Sequence, residues 1–74
     1  MISFDSEKME WDGLTVKQVQ FWEKCYPDLD VIDILKNKIP AWLDANPKKA
    51  NKKQWKRFIN NWLSRQKGKY ENQT

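Results

Sequence analysis

The run Trp55-Lys56-Arg57-Phe58-Ile59-Asn60-Asn61-Trp62-Leu63-Ser64-Arg65-Gln66-Lys67 decides the fold. Its apolar residues fall at offsets 0, 3, 4, 7 and 8, the spacing that lines one face of an α-helix. Asn51 with Gln54 three residues later reads as a capping box ahead of this helix. Gly68 reads as the residue that stops it. Residues 69–74 then form a frayed tail. Upstream, the polar and basic segment Lys48 to Lys53 is expected to be a loop.

The same periodicity recurs before that loop. Val31, Ile34, Leu35, Ile39, Trp42 and Leu43 make a second helical stripe, with Asp30 as a good N-cap and Asp33 suited to the positive helix end. Pro40 lies inside the stripe, where a proline removes one hydrogen bond and clashes with the preceding turn, at about 3 kcal/mol. The stripe keeps phase across Pro40. The expectation is a kinked helix from Val31 to Ala45, or two short helices nearly sharing an axis, closed by Asn46-Pro47. Earlier still, Thr15 to Gln18 reads as a capping box for a first helix from about Val16 to Cys25. Pro27 ends it by forcing the preceding residue out of helical geometry.

Residues 1–14 fit no long helix. Ile2-Ser3-Phe4 and Met9-Glu10-Trp11 alternate apolar and polar, so they form either a short hairpin turning at Asp5 to Lys8 or an extended arm. Asp12-Gly13 marks a turn.

The predicted fold is therefore mainly all-α. A compact three-helix domain over residues 15–68 has a Trp-rich core, preceded by the N-terminal arm or hairpin. The expected core is Val19, Trp22, Ile34, Leu35, Ile39, Trp42, Leu43, Phe58, Ile59, Trp62 and Leu63, with Trp55 and Trp11 contributing. At 74 residues such a domain sits near the lower limit for a single unstapled core, and five Trp supply much apolar area per residue.

Composition excludes several classes. One Cys cannot form an internal disulfide, and with no His a Cys/His zinc site is excluded. No apolar run approaches the roughly 20 residues of a membrane span, and no secretory leader opens the chain. There is no His for a Ser–His or Cys–His pair and no glycine loop for a nucleotide phosphate. Asp28, Asp30 and Asp33 lack the glycine and later Glu of a calcium loop and read as helix-capping residues. The expectation is a cytoplasmic binding domain with no catalytic residues, cofactor, metal, membrane partner or small-molecule substrate.

Charge is divided along the chain. Residues 1–44 hold five basic and nine acidic residues, whereas residues 45–70 hold nine basic residues and no acid. Such asymmetry suits a polyanion or an acidic partner. It also suits a solvated helix face that keeps a small domain soluble. Opposite the apolar stripe, the third helix carries Lys53, Arg57, Asn60, Asn61, Ser64 and Lys67, flanked by Lys52, Lys56 and Arg65, with Lys48 and Lys49 in the preceding loop. Lys and Arg neutralise phosphates, Asn can pair with adenine, and Ser can donate to phosphate. Asn60 and Asn61 read equally as ordinary surface residues. Trp55 starts a helix beside the lysines and Trp11 lies outside any regular element, so these two are the candidates for exposure and base stacking.

Three motifs carry a family likeness: Phe21-Trp22 through Tyr26-Pro27 to Asp30-Val31; Ala41-Trp42-Leu43-Asp44-Ala45-Asn46-Pro47; and Arg57-Phe58-Ile59-Asn60-Asn61-Trp62-Leu63. In this order, across residues 14–66, they resemble the C-terminal module of phage and prophage replication-initiation and helicase-loader-like proteins. Those proteins usually carry a winged-helix or similar domain ahead of the module. The resemblance implies a role in DNA replication or recombination, through DNA binding or through docking a replisome protein. Two readings follow. One is a DNA-binding accessory module working through the third helix and its preceding loop. The other is a loader, adaptor or inhibitor that docks through the acidic Glu23, Asp28, Asp30 and Asp33 or an apolar patch around Phe4, Trp11 and Tyr26.

Overall fold

The structure, a computed structural model, describes residues 1–71, with side chains described for residues 1–67. It is mainly helical: a two-stranded hairpin leads into three helices that pack around one aromatic-rich core. Among the described residues no helix is long and apolar enough to cross a membrane.

Of the two alternatives for the N-terminus, the hairpin forms. Strands β1 (Ser3–Asp5) and β2 (Glu10–Asp12) are antiparallel, with Phe4 opposite Trp11. The Asp5 carboxylate accepts from the N–H groups of Glu7 (3.0 Å) and Lys8 (3.1 Å), which pins the turn. The turn spans Ser6 to Met9, one residue further along the chain than expected, and Met9 closes it with a left-handed φ of 55°. Gly13 follows with φ 78°, and a Cβ there would collide with the Met1 carbonyl oxygen. Glycine is thus required twice over, by conformation and by space.

Helix α1 (Val16–Cys25) has the expected bounds. The Thr15 hydroxyl accepts from the Gln18 N–H at 3.1 Å, as an N-cap should. The Tyr26 N–H closes the last turn on the Trp22 carbonyl, and Pro27 prevents continuation. Trp22 points inward and is buried, while Phe21 is 58% exposed.

Helix α2 covers residues 31–45 as one run of three segments, α-helical at Val31–Asp33 and Ile39–Ala45 and π-helical at Ile34–Lys38. Asp30 caps it, accepting from the Asp33 N–H, and the Asp33 carboxylate accepts from the Asn37 amide at 2.9 Å. These carboxylates are occupied by helix capping and side-chain bonding.

The π-turn accounts for Pro40. The Ile39 N–H bonds to the Ile34 carbonyl, five residues back instead of four. The Leu35 carbonyl has thereby lost its α-helical donor, Ile39. Its π-helical donor would be residue 40, which is proline and has no N–H. The vacancy is filled from outside the helix: the Trp11 indole Nε1 donates to the Leu35 carbonyl at 2.6 Å. A bond spanning 24 residues thus ties the hairpin to the deviant turn.

After α2, Pro47–Ala50 forms a 3₁₀ turn where a featureless loop was expected. Helix α3 (Trp55–Glu71) begins when the Phe58 N–H bonds to the Gln54 carbonyl. Gln54 therefore stands at the cap position, and Asn51 ends the 3₁₀ turn instead of capping α3. The helix also runs through Gly68 to Glu71, so Gly68 is not its stop. A glycine costs about 1 kcal/mol inside a helix, which does not suffice to end one. The expected tail falls partly in this helix, and residues 72–74 lie outside the described residues.

The core comprises Phe4, Trp22, Val31, Ile34, Leu35, Ile39, Leu43, Trp55, Ile59 and Leu63. Phe4 and Val31 join the expected set and Trp55 is buried within it, whereas Trp11, Val19, Trp42, Phe58 and Trp62 are only partly buried. Aromatic contacts run from end to end. Phe4 meets Trp11 (4.9 Å between centroids), Trp11 meets Trp55 (5.4 Å), Trp55 meets Phe58 (5.5 Å), Phe58 meets Trp62 (5.9 Å) and Trp62 meets Trp42 (5.4 Å). Most are edge-to-face, the geometry the ring quadrupole favours.

Replacing Trp11 by Phe keeps most of the apolar packing and removes the indole N–H. The expected cost is about 1–3 kcal/mol, because the Leu35 carbonyl is left without a donor. In a Pro40→Ala background that carbonyl regains a backbone donor in either helical register. The same replacement there should cost about 1 kcal/mol less, measured as a double-mutant cycle by urea unfolding. An identical cost in both backgrounds would show that the indole does not replace the proline's missing donor.

Candidate nucleic-acid interface

Helix α3 sets the geometry. Trp55, Ile59 and Leu63 face inward, at 4%, 0% and 0% exposure. The residues before two of them and after all three turn outward onto opposite flanks, since successive side chains are about 100° apart. Two grooves result, one on each flank.

The first lies between α3, α1 and the hairpin, with a volume of about 720 Å³. Lys53, Lys56, Arg57 and Asn60 line it from the α3 side. Gln18, Phe21 and the chain around Gly13 line it opposite. The Gln18 side-chain nitrogen is buried without a hydrogen-bond partner among the described residues.

The second lies between α3 and the end of α2, with a volume of about 560 Å³. Trp42, Phe58 and Trp62 line it together with Lys49, Lys52, Arg65 and Gln66. Local chemistry explains how the lysines come to stand beside Trp42. The Asn46 side chain and backbone both donate to the Trp42 carbonyl, at 2.9 and 3.0 Å, ending α2. Pro47 cannot extend the helix and starts the 3₁₀ turn, in which the Lys49 N–H bonds to the Asn46 carbonyl at 2.9 Å. The turn folds back within reach of the ring. Lys52 Nζ lies 4.6 Å from the Phe58 ring centroid, a cation–π contact. The indole Nε1 of Trp62 is buried and has no hydrogen-bond partner among the described residues.

The eleven polar and basic residues expected at the interface are therefore split. Lys53, Lys56, Arg57 and Asn60 share the first groove, and Lys49, Lys52 and Arg65 share the second. Lys48, Asn61, Ser64 and Lys67 are exposed and line neither. The two stacking candidates are displaced. Trp55 is buried, held between Trp11 and Phe58. Trp11 is half-buried, flanked by Phe4 and Trp55, and its N–H is taken by Leu35. Both rings are used in packing; Trp55 is closed off, and the part of Trp11 left accessible lies among mainly apolar residues away from the α3 cations.

The accessible aromatic wall comprises Trp42, Phe58 and Trp62, which periodicity assigns to the core. A signal for it does exist. In Trp42-Leu43, Phe58-Ile59 and Trp62-Leu63 a ring precedes an aliphatic residue. The aliphatic member is buried each time, and the ring is turned to the flank.

The apolar patch expected around Phe4, Trp11 and Tyr26 does not form, because Phe4 is buried in the core. A different apolar groove, of about 520 Å³, runs along Met9, Trp11, Leu14, Val19, Ile32 and Leu35, with Ile32 46% exposed. No family model, curated protein or solved structure matches this chain.

Proposed function

We propose that this domain is a DNA-binding accessory module of a phage or prophage replication protein, acting in the cytoplasm. It engages nucleic-acid phosphates through α3 and the segment before it, and performs no catalysis. The observation that carries this reading is the distribution of charge around one helix. Residues 45–67 contain eight cations and no acid. Lys48, Lys49, Lys53, Lys56, Arg57, Arg65 and Lys67 stand exposed and Lys52 half-buried around a helix whose remaining side is sealed in the core. A polyanion fits that field, and neutralising its phosphates releases counterions. The resemblance of the three sequence motifs to those of phage replication modules supports the same reading.

One observation favours a second reading, in which the domain docks on a replication protein. The groove from Met9 to Leu35 is apolar and belongs to the acidic half of the chain. An apolar segment of a partner could lie there.

The first reading predicts a steep fall of DNA affinity with salt. Reversing both Lys53 and Arg57 to Glu should weaken binding to all sequences about equally. The slope of log K against log salt should shrink by about 1 for each phosphate that is no longer neutralised. Unchanged affinity and slope in the doubly reversed protein, measured by fluorescence anisotropy at several salt concentrations, would refute it.

A further inference from the structure

We infer that the groove walled by Trp42, Phe58 and Trp62 stacks an unpaired base, so that the preferred ligand is single-stranded nucleic acid. This deepens the reading above and rests on it. Three properties of the groove lead there. Its wall is aromatic and only partly buried, unlike the aliphatic residues Leu43, Ile59 and Leu63 behind it. Its rim carries Lys49, Lys52 and Arg65, and no carboxylate among the described residues lines it. Its volume, about 560 Å³, is of the size that accepts a small planar group.

Aromatic rings next to cations form the pattern that holds a single strand: the rings take bases and the cations follow the phosphates. Lys52 already sits against the Phe58 ring at 4.6 Å, so charge and stacking surface are adjacent. A duplex cannot use such a wall without unpairing, because its base faces are covered by their neighbours. A duplex can use only the cations. The exposed Lys48 extends the positive path from Lys49 at the rim along the 3₁₀ turn. Base stacking of this kind tolerates any sequence, because every base has a π-face. DNA and RNA single strands share this chemistry.

The test is a titration of the intact chain with oligo(dT), oligo(rU) and a mixed-sequence DNA duplex at one salt concentration, read both by anisotropy of the labelled strand and by intrinsic tryptophan emission. Single strands should quench the emission and bind at least about tenfold tighter than duplex, as expected for one or two stacked bases. The two oligonucleotides show which sugar is preferred. Trp62→Leu and Trp42→Leu should each lower single-strand affinity by about five- to a hundredfold, with duplex affinity and salt slope unchanged. Trp62→Phe should retain most of the affinity, because it keeps a π-face. Comparing wild-type quenching by single strand with that by duplex at matched saturation needs no variant, and so decides the matter even if a leucine variant fails to fold. Equal affinity for single strand and duplex with no quenching would overturn the stacking groove while leaving phosphate binding intact. Absence of binding to all three probes would overturn both.

Discussion

A proline inside an apolar stripe sets the terms for this fold. Pro40 removes a donor from the middle of α2, and the helix answers with a π-turn that shifts the Ile39 N–H to the Ile34 carbonyl. That leaves the Leu35 carbonyl without a backbone donor, and a partly buried carbonyl left unpaired is costly. The Trp11 indole supplies the missing hydrogen. One bond therefore satisfies the helix defect and anchors a hairpin that would be marginal alone.

The position of that indole determines which aromatic residues remain accessible. With its N–H on Leu35, Trp11 lies edge-on to both Phe4 and Trp55 and closes the hairpin end of the core. Trp55 is sealed beneath it. The aromatic chain then continues through Phe58 to Trp62 and Trp42, where no hairpin covers it. One end of a continuous row of rings is structural. The other end opens beside Lys49, Lys52 and Arg65. The cations on the far flank of α3, near Phe21, complete a positively charged band around the helix.

Much of this is legible in the chain. The N-cap at Thr15 and Pro27 bound α1, and the unbroken phase of Val31 to Leu43 shows that α2 survives Pro40. Periodicity is a local property, and these elements are locally determined. The π-turn is not legible, because its compensation comes from Trp11, 24 residues away. The same bond explains why the stacking candidates are misplaced by sequence alone. Trp11 looks free because it belongs to no helix, and Trp55 looks free because it opens one. Trp11 lies in the hairpin itself and Trp55 packs beneath it, and a contact between residues so far apart in the chain leaves no periodic trace. Gly68 misleads for a simpler reason, since nothing beyond it in the sequence compels the helix to end there. The concentration of charge in the second half of the chain is plain in the sequence. Its division into two grooves depends on how α3 rolls against its neighbours.

Hydrogen–deuterium exchange of the five indole N–H protons, followed by NMR, tests the tie between hairpin and helix most directly. The account predicts that the Trp11 indole proton, identified by residue-specific assignment, is among the slowest to exchange, with protection approaching that of the core amides. Exchange of that proton at the rate of a solvent-exposed indole, in a protein otherwise folded, would contradict it.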